Sequence, residues 1–153
     1  MRTEIVYCSH KGNTRQIAEA IAAELRQHGQ ADAVAVEEAA TTLVPDTDLL
    51  LVGGPTEGHG MTPEIRAFLD RLDPSSVRGR AAAAFDTRID WPRLLSGSAA
   101  AGIEKELVRK GARIVHPAGS FIVDTEPTLH AGELERASAW AREVAAALEP
   151  ATV

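Results

Sequence analysis

The 153-residue sequence is poor in cysteine and in aromatic residues. Cys8 is its single cysteine, which excludes an internal disulfide and any metal cluster held by several cysteines. Aromatic residues make up 4% of the chain, and no apolar run approaches the roughly 20 residues that a membrane-spanning helix needs. A charge interrupts what would be the apolar core of a signal peptide at the N-terminus. These absences predict a cytoplasmic protein that does not insert into a membrane.

The charge balance and the length narrow the class further. A formal net charge of −6 argues against nucleic-acid binding, because neutralising phosphates requires a basic face. The length suits one domain with a full hydrophobic core. We expect a single domain over residues 1–149, followed by a short C-terminal tail over 150–153.

Short apolar runs alternate along the chain with segments in which apolar residues recur at helical spacing. This alternation predicts a doubly wound, three-layer α/β sandwich around a five-stranded parallel sheet. The predicted strands are 5–8, 33–36, 48–52, 81–85 and an interrupted fifth strand over 113–123 with its break at 117–119. The predicted helices cover 17–25, 63–72, 100–108 and 134–148.

Such sheets bind ligands beyond the carboxyl ends of their strands, where the strand order reverses. Three predicted loops lie there: 9–14 after strand one, 53–62 after strand three and 86–98 after strand four. All three are rich in glycine, polar residues or tryptophan, which indicates a binding site at this edge.

The first of these loops leads directly into a helix. Free backbone N–H groups and the helix dipole favour an anion at that position. Gly12 permits close approach of a ligand, and Ser9, Asn13 and Thr14 add neutral polar groups. The same residue types also form ordinary N-capping turns. The segment alone therefore leaves phosphate binding and helix capping equally open.

Ser9, Gly12, Asn13 and Thr14, placed after strand one, resemble the phosphate-loop signature of the flavodoxins. Lys11 departs from that signature, since a cation stands where the family has a hydroxyl. The resemblance continues through 52–56 and 111–115. It implies the strand order 2-1-3-4-5 and a non-covalently bound flavin mononucleotide (FMN).

Site residues follow from the resemblance position by position. The first loop would surround the phosphate, Gly58 would allow a peptide flip beside flavin N5, and the backbone of 86–88 would bond the pyrimidine ring. An ordinary glycine turn is the alternative for Gly58. The predicted cofactor-binding residues are Ser9, His10, Lys11, Gly12, Asn13, Thr14, Pro55, Thr56, Glu57, Gly58, His59, Asp86, Thr87, Arg88 and Trp91. No catalytic residue and no metal site is predicted.

Two of these residues have alternative interpretations. His59 could carry a proton to a substrate or to flavin N5, or it is simply a solvated loop histidine. Trp91 could stack on the flavin, or pack on the adjoining helix. Flavodoxins commonly hold the ring between two aromatic side chains, and the second loop of this sequence has none.

Two other α/β families have phosphate or acidic sites at the same edge. Low-molecular-weight tyrosine phosphatases require a cysteine and an arginine separated by five residues, whereas six separate Cys8 from Arg15. The extra residue turns the arginine about 100° around the helix. Receiver domains need an acidic pair after strand one and an aspartate at the end of strand three, and the sequence has neither.

The sequence thus predicts an FMN-binding protein that passes electrons to a redox partner protein or a small quinone-like acceptor. It favours an electron carrier over an FMN-dependent quinone or porphyrinogen reductase. The alternative is a flavodoxin-like binding or regulatory module without flavin, which the missing second-loop aromatic residue would suit. The oligomeric state stays open.

Overall fold

The computed structural model describes residues 1–125 and 128–148. Strands and helices alternate through this part of the chain, as the apolar pattern predicts. In order they are β1 (Arg2–Tyr7), α1 (Asn13–Leu25), β2 (Gln30–Ala35), β3 (Leu49–Pro55), α2 (Pro63–Arg71), α3 (Pro74–Val77), β4 (Ala81–Ile89), α4 (Arg93–Ser96), α5 (Ala99–Arg109), β5 (Arg113–Ile114), β6 (Gly119–Val123) and α6 (Glu133–Leu148).

The strands form one parallel sheet in the order β2-β1-β3-β4-β5, which confirms the predicted architecture and strand order. β6 is an additional strand that also pairs with β4. β5 lies along the beginning of β4 and β6 along its end, so two segments share the fifth position of the sheet. The predicted interruption separates them, although Gly119 belongs to β6 and not to the break.

Helices cover both faces of the sheet, and alternate strand residues point to opposite layers. Leu49 and Leu51 of β3 pack with α1 and α6, whereas Leu50 and Val52 pack with α2 and α5. Trp140 of α6 lies edge-on to Phe121 and tilted against Phe85. It therefore packs between helix and sheet. The sequence predicts this placement, because Trp140 lies among the apolar residues of the last helix.

Two strands extend further than the apolar runs predict. β3 continues to Pro55 and β4 to Ile89, so 86–88 belong to a strand and not to the loop in which the sequence placed them. A Cβ atom at Gly53 would lie 2.2 Å from the ring of Phe85, and only glycine continues β3 there. Buried polar residues of β4 keep their hydrogen-bonding groups satisfied, which allows the strand to continue without apolar side chains.

The parallel register brings the carboxyl ends of β1, β3 and β4 to one edge. Tyr7 is paired with Gly53, and Pro55 with Thr87. The order reverses at β1, which has β2 on one side and β3 on the other. None of the described helices combines the length and apolar character that crossing a bilayer requires. The end of the predicted domain at residue 149 and the tail over 150–153 lie outside the described residues.

Candidate functional site

A cavity of about 340 Å³ opens at the carboxyl edge of the sheet. Its walls come from the loop after β1, the end of β3, the end of β4 and the segment after β6. The residues that line it are Ser9, His10, Lys11, Asn13, Thr14, Pro55, Thr56, Glu57, Thr87, Arg88, Ile89, Val123, Asp124 and Thr125. Most of the residues predicted to bind a cofactor are thus brought together in one cavity.

The first loop is shaped by Ser9 and Gly12. The Ser9 hydroxyl accepts hydrogen bonds from the backbone N–H groups of Gly12 (3.1 Å) and Arg15 (3.2 Å). Gly12 precedes α1 with φ of +88°, and a Cβ atom there would meet nothing within 4 Å. The Ser9 hydroxyl therefore caps the start of α1, as the helix-capping interpretation of this loop predicts. The space around Gly12 stays open.

Thr14 links the first loop to β4. Its hydroxyl lies 2.9 Å from the hydroxyl of Thr87, and both side chains are buried. The contact fixes the first turn of α1 against the strand that forms the opposite wall of the cavity. The walls from the first loop and from β4 are thereby held as one unit.

His10 lies between two glutamates at the cavity rim. Its Nδ1 is 2.7 Å from Glu57 Oε2, and its Nε2 is 3.2 Å from Glu64 Oε2. The hydrogen bond to Glu57, more than any other interaction, raises the pKa of His10 above its ordinary value. One imidazole is therefore within hydrogen-bonding distance of two carboxylates at the rim.

The turn after β3 contains two consecutive residues whose backbone is in the left-handed conformation. Glu57 and Gly60 exchange backbone hydrogen bonds of 2.9 and 3.1 Å, with Gly58 at φ of +56° and His59 at +68°. A positive φ is uncommon for a residue with a side chain. Gly97 packs directly on this turn, because a Cβ atom there would lie 2.0 Å from the carbonyl oxygen of His59.

A second cavity of about 170 Å³ lies between this turn and the segment after β4. It shares the lining residues Thr56, Arg88 and Ile89 with the larger cavity. Trp91 also lines it, with 54% of its surface exposed. The Arg88 guanidinium donates to the Ser120 hydroxyl and to the carbonyl of Trp91, which holds the strand end and the following segment together. Gly58 and His59 also line this cavity.

Asp86 is fully buried and is not one of the residues that line the two cavities described above. Its carboxylate accepts hydrogen bonds from the hydroxyls of Ser120 (2.6 Å) and Ser98 (3.0 Å), and from the N–H of Ala100 (3.0 Å). The hydroxyl of Thr56 is a further donor at 3.3 Å. In this position the side chain joins β4 to the start of α5 and to β6.

Sequence reasoning missed Ile89, Val123, Asp124 and Thr125 as parts of the cavity wall. Val123 ends β6, the strand that pairs with the end of β4, and Asp124 and Thr125 follow it. Their position at the carboxyl end of the fifth strand was the available signal. Asp124 is paired with His130 at 2.9 Å, so its charge, like that of Glu57, has a histidine partner.

The phosphatase alternative disagrees with the surroundings of Cys8. The side chain is fully buried, and burial raises the pKa of the thiol to about 11. A nucleophilic cysteine needs a lowered pKa and access to its substrate. Arg15 is exposed and paired with Glu19 at 2.9 Å, so the arginine that such a site requires is engaged outside the loop.

Comparisons with known proteins agree with the architecture of the fold. The flavodoxin family model matches residues 5–137. Among solved structures, oxidised flavodoxin 1 from Bacillus cereus is similar with a TM-score of 0.81 at 20% identity, covering 95% of this chain and 98% of that one. A flavodoxin from the domain Archaea has a TM-score of 0.79 at 20% identity, covering 97% and 99%. No curated protein sequence matches the chain.

A longer protein shares the same fold in part of its length. The rubredoxin oxygen:oxidoreductase from Desulfovibrio gigas matches 96% of this chain and 36% of its own, with a TM-score of 0.76 at 18% identity. At identities of 18–20% the solved structures establish the fold alone. The family model is a comparison of sequence, and it matches most of the chain.

Proposed function

The chain belongs to the flavodoxin family of flavin-binding electron-transfer proteins, and from this premise we propose that it binds one FMN non-covalently in the cavity of about 340 Å³. The observation that carries the proposal is the position of this cavity. It lies at the carboxyl edge of the sheet beside β1, where the strand order reverses and doubly wound folds bind their ligands.

The phosphate end fits the first loop. An anion in this loop lies at the N-terminus of α1, where backbone N–H groups and the helix dipole stabilise negative charge. Thr14 and Asn13 begin that helix and line the cavity, so their polar groups would hold the phosphate. The open space around Gly12 leaves room for phosphate oxygens close to the backbone.

The charges around the cavity also suit a dianionic ester. Glu57 and Asp124 are its carboxylates, and each is paired with a histidine. Lys11 and Arg88 add two cations to the wall. Lys11 therefore supplies a charge to the phosphate that most flavodoxin loops lack, and this compensates for the acidic residues nearby.

The isoalloxazine end fits the neighbouring cavity of about 170 Å³. Gly58 and His59 of the turn, Thr56, Arg88 and Trp91 line this cavity and would hold the ring. When bound, the flavin supplies the one- or two-electron redox chemistry. The protein orients the ring, and the backbone at Gly58 offers hydrogen-bonding groups to N5. Exposure of Trp91 leaves one side of the site accessible to a redox partner.

We further propose that the protein acts as a carrier between a flavoprotein reductase and an acceptor, in the cytoplasm. The exposed apolar residues after β4, which include Trp91, Leu94 and Leu95, border the proposed ring site. They form a docking area in which a partner protein could approach the flavin edge. The choice between a protein acceptor and a small quinone-like acceptor is part of the test.

FMN binding is tested by titrating flavin-free protein with FMN and following the quenching of flavin fluorescence. We expect one equivalent to bind. Replacing Asn13 with leucine should weaken binding at least about tenfold, corresponding to about 1.4 kcal/mol, because a bulky apolar side chain would occupy the phosphate position. Gln27→Leu, in the turn that follows the other end of α1, is the control, and it should bind as the unaltered protein does.

Equal affinity of Asn13→Leu and Gln27→Leu would refute the assignment of the first loop. Absence of FMN binding by the unaltered, folded chain would instead indicate the flavin-free alternative. For the FMN-loaded protein, rapid reduction by a flavoprotein reductase without direct NADPH oxidation supports the carrier. Direct turnover of quinone with NADPH would identify an enzyme.

A further inference from the structure

Three side chains of different chemistry meet at the rim of the proposed flavin site, and of the three only His10 lines the flavin cavity. They are the thiol of Cys8 at the end of β1, the imidazole of His10 in the first loop and the carboxylate of Glu64 in the first turn of α2. We propose that these three residues form a binding site for a divalent transition-metal ion, with Zn²⁺ as the best match. We call it the Cys8–His10–Glu64 site.

The distances within this group match a metal coordination shell. His10 Nε2 lies 3.4 Å from Cys8 Sγ and 3.2 Å from Glu64 Oε2, and Cys8 Sγ lies 3.7 Å from Glu64 Oε2. Tetrahedral zinc has bonds of about 2.3 Å to sulfur and about 2.0–2.2 Å to nitrogen and oxygen, which puts its ligand atoms about 3.3–3.6 Å apart. The three atoms thus form one face of a tetrahedron with little adjustment.

Glu57 provides the outer partner that a metal-bound histidine usually has. Its Oε2 lies 2.7 Å from His10 Nδ1, so the Nδ1–H can donate to the carboxylate. That hydrogen bond fixes the tautomer in which Nε2 carries the lone pair, and Nε2 is the nitrogen that faces Cys8 and Glu64. Carboxylate–histidine–metal arrangements of this kind orient the ligand and strengthen its basicity.

Charge at the site favours a cation. The Glu64 carboxylate lies 3.7 Å from the Cys8 sulfur, and the Glu57 carboxylate lies 2.7 Å from the other side of the His10 ring, so two carboxylates surround this group. A divalent ion would relieve this concentration of negative charge. Binding replaces the thiol proton, which passes to solvent, and forms the metal–thiolate bond.

The site has an entrance and an open position. Cys8 is fully buried, whereas the side chains of His10 and Glu64 are 38% and 41% exposed. An ion would therefore approach through the imidazole and carboxylate, and the thiol would close the inner side. Three protein ligands leave a fourth position for water or an exogenous ligand, as in catalytic zinc sites.

The proposal is tested on the full chain after metal removal, by dialysis against Zn²⁺ and measurement of metal content. We expect one equivalent of Zn²⁺ per chain. Cobalt titration, read as a difference spectrum against the same protein without metal, should show a thiolate-to-metal charge-transfer band, because Cys8 is the single cysteine. Glu64→Gln should weaken Zn²⁺ binding about 10-fold or more, and Cys8→Ser should remove the charge-transfer band.

Glu64 is the decisive variant, because its half-exposed side chain can be changed without disturbing the core. His116→Gln is the matched control, since His116 is paired with Glu143 at 3.0 Å on another part of the surface, and it should leave Zn²⁺ binding unchanged. Glu57→Ala removes the acceptor of the His10 Nδ1–H and should lower affinity by about 10–100-fold, as loss of an outer hydrogen bond does.

Retention of full Zn²⁺ affinity by Glu64→Gln would overturn the proposal, as would cobalt binding without a charge-transfer band. So would failure of the unaltered chain to bind Zn²⁺ at all. Glu64 is outside the wall of the flavin cavity described above, so FMN titration of Glu64→Gln should give unchanged affinity. Loss of the metal and loss of the flavin are therefore separable results.

Discussion

The hydroxyl of Thr14 lies 2.9 Å from the hydroxyl of Thr87, although 73 residues separate them in the sequence. One belongs to the first turn of α1 and the other to the end of β4. Both side chains are almost completely buried, at 1% and 3% exposure. The two walls of the proposed phosphate site are therefore connected by a hydrogen bond that water cannot replace.

Removing either hydroxyl should destabilise the flavin-free protein. Thr14→Val and Thr87→Val each leave a buried hydroxyl without its partner, at a cost of about 1–3 kcal/mol. The double variant should lose less than the sum of the two, because it leaves neither group unpaired. Urea unfolding of the four proteins measures this coupling. Additive losses would show that the bond contributes nothing to stability.

Gly97 should control the position of the turn over 57–60. Its φ is +73°, and a Cβ atom would overlap the carbonyl oxygen of His59 at 2.0 Å. Gly97→Ala should therefore displace the turn, lower the free energy of unfolding and weaken FMN binding. Urea unfolding and FMN titration of Gly97→Ala and of the unaltered protein measure these effects.

Gly132→Ala is a matched control for Gly97→Ala. Gly132 has φ of +85°, but a Cβ atom there would meet nothing within 4 Å. It should lose only the cost of left-handed backbone, about 1–2 kcal/mol, with FMN affinity unchanged. If both variants bind FMN equally well, the contact between Gly97 and the turn does not affect the site.

The sequence predicts the layers from apolar alternation, and the resemblance of its first loop to the flavodoxin phosphate loop predicts the strand order and most of the cavity wall. It predicts the ends of β3 and β4 poorly. The sequence places Gly53 in a loop, whereas the structure places it in β3, packed against the ring of Phe85. The cluster of Cys8, His10 and Glu64 is also absent from the pattern, since its third ligand comes from a different element, 54 residues after His10.

Asp86 is a single residue whose hydrogen-bonding partners the sequence does not predict. In the sequence it follows an apolar run and reads as a loop residue near the ligand, yet its carboxylate is the acceptor for four donors in the interior. A polar residue type does not show whether its partners are protein groups or a ligand. The distinction depends on Ser98 and Ser120, which approach only in the folded chain.

Substitutions of Asp86 should separate the effect of side-chain shape on stability from the effect of lost hydrogen bonds. Asp86→Ala removes the acceptor of the Ala100 N–H, which cannot rotate to another partner, and should cost about 3 kcal/mol. Asp86→Asn keeps one oxygen for that N–H, and hydroxyls can rotate toward its amide, so about 1 kcal/mol is expected. Thermal or urea unfolding ranks the two. Equal losses would mean that the remaining oxygen of asparagine does not serve Ala100.

Glu133 should make the stability of the protein depend on pH in the acid range. Its carboxylate accepts from the backbone N–H of Ile122 at 2.6 Å and from two nitrogens of Arg136 at 2.8 and 2.7 Å. The Arg136 hydrogen bonds lower the pKa of Glu133 below its ordinary value of 4.5. A lowered pKa in the folded state means that the contribution is complete above the unfolded value and disappears as the pH falls through the folded value.

Glu133→Gln should therefore lose about 1–3 kcal/mol at neutral pH, and the difference from the unaltered protein should narrow as the pH falls below 4.5. Urea unfolding at a series of pH values between neutrality and the acid limit of the native state measures both curves. Glu143→Gln on the same helix, where the carboxylate is 62% exposed, is the control and should change stability by less than about 0.5 kcal/mol. Parallel curves for the unaltered protein and Glu133→Gln would show that Glu133 is not ionised in the way its contacts require.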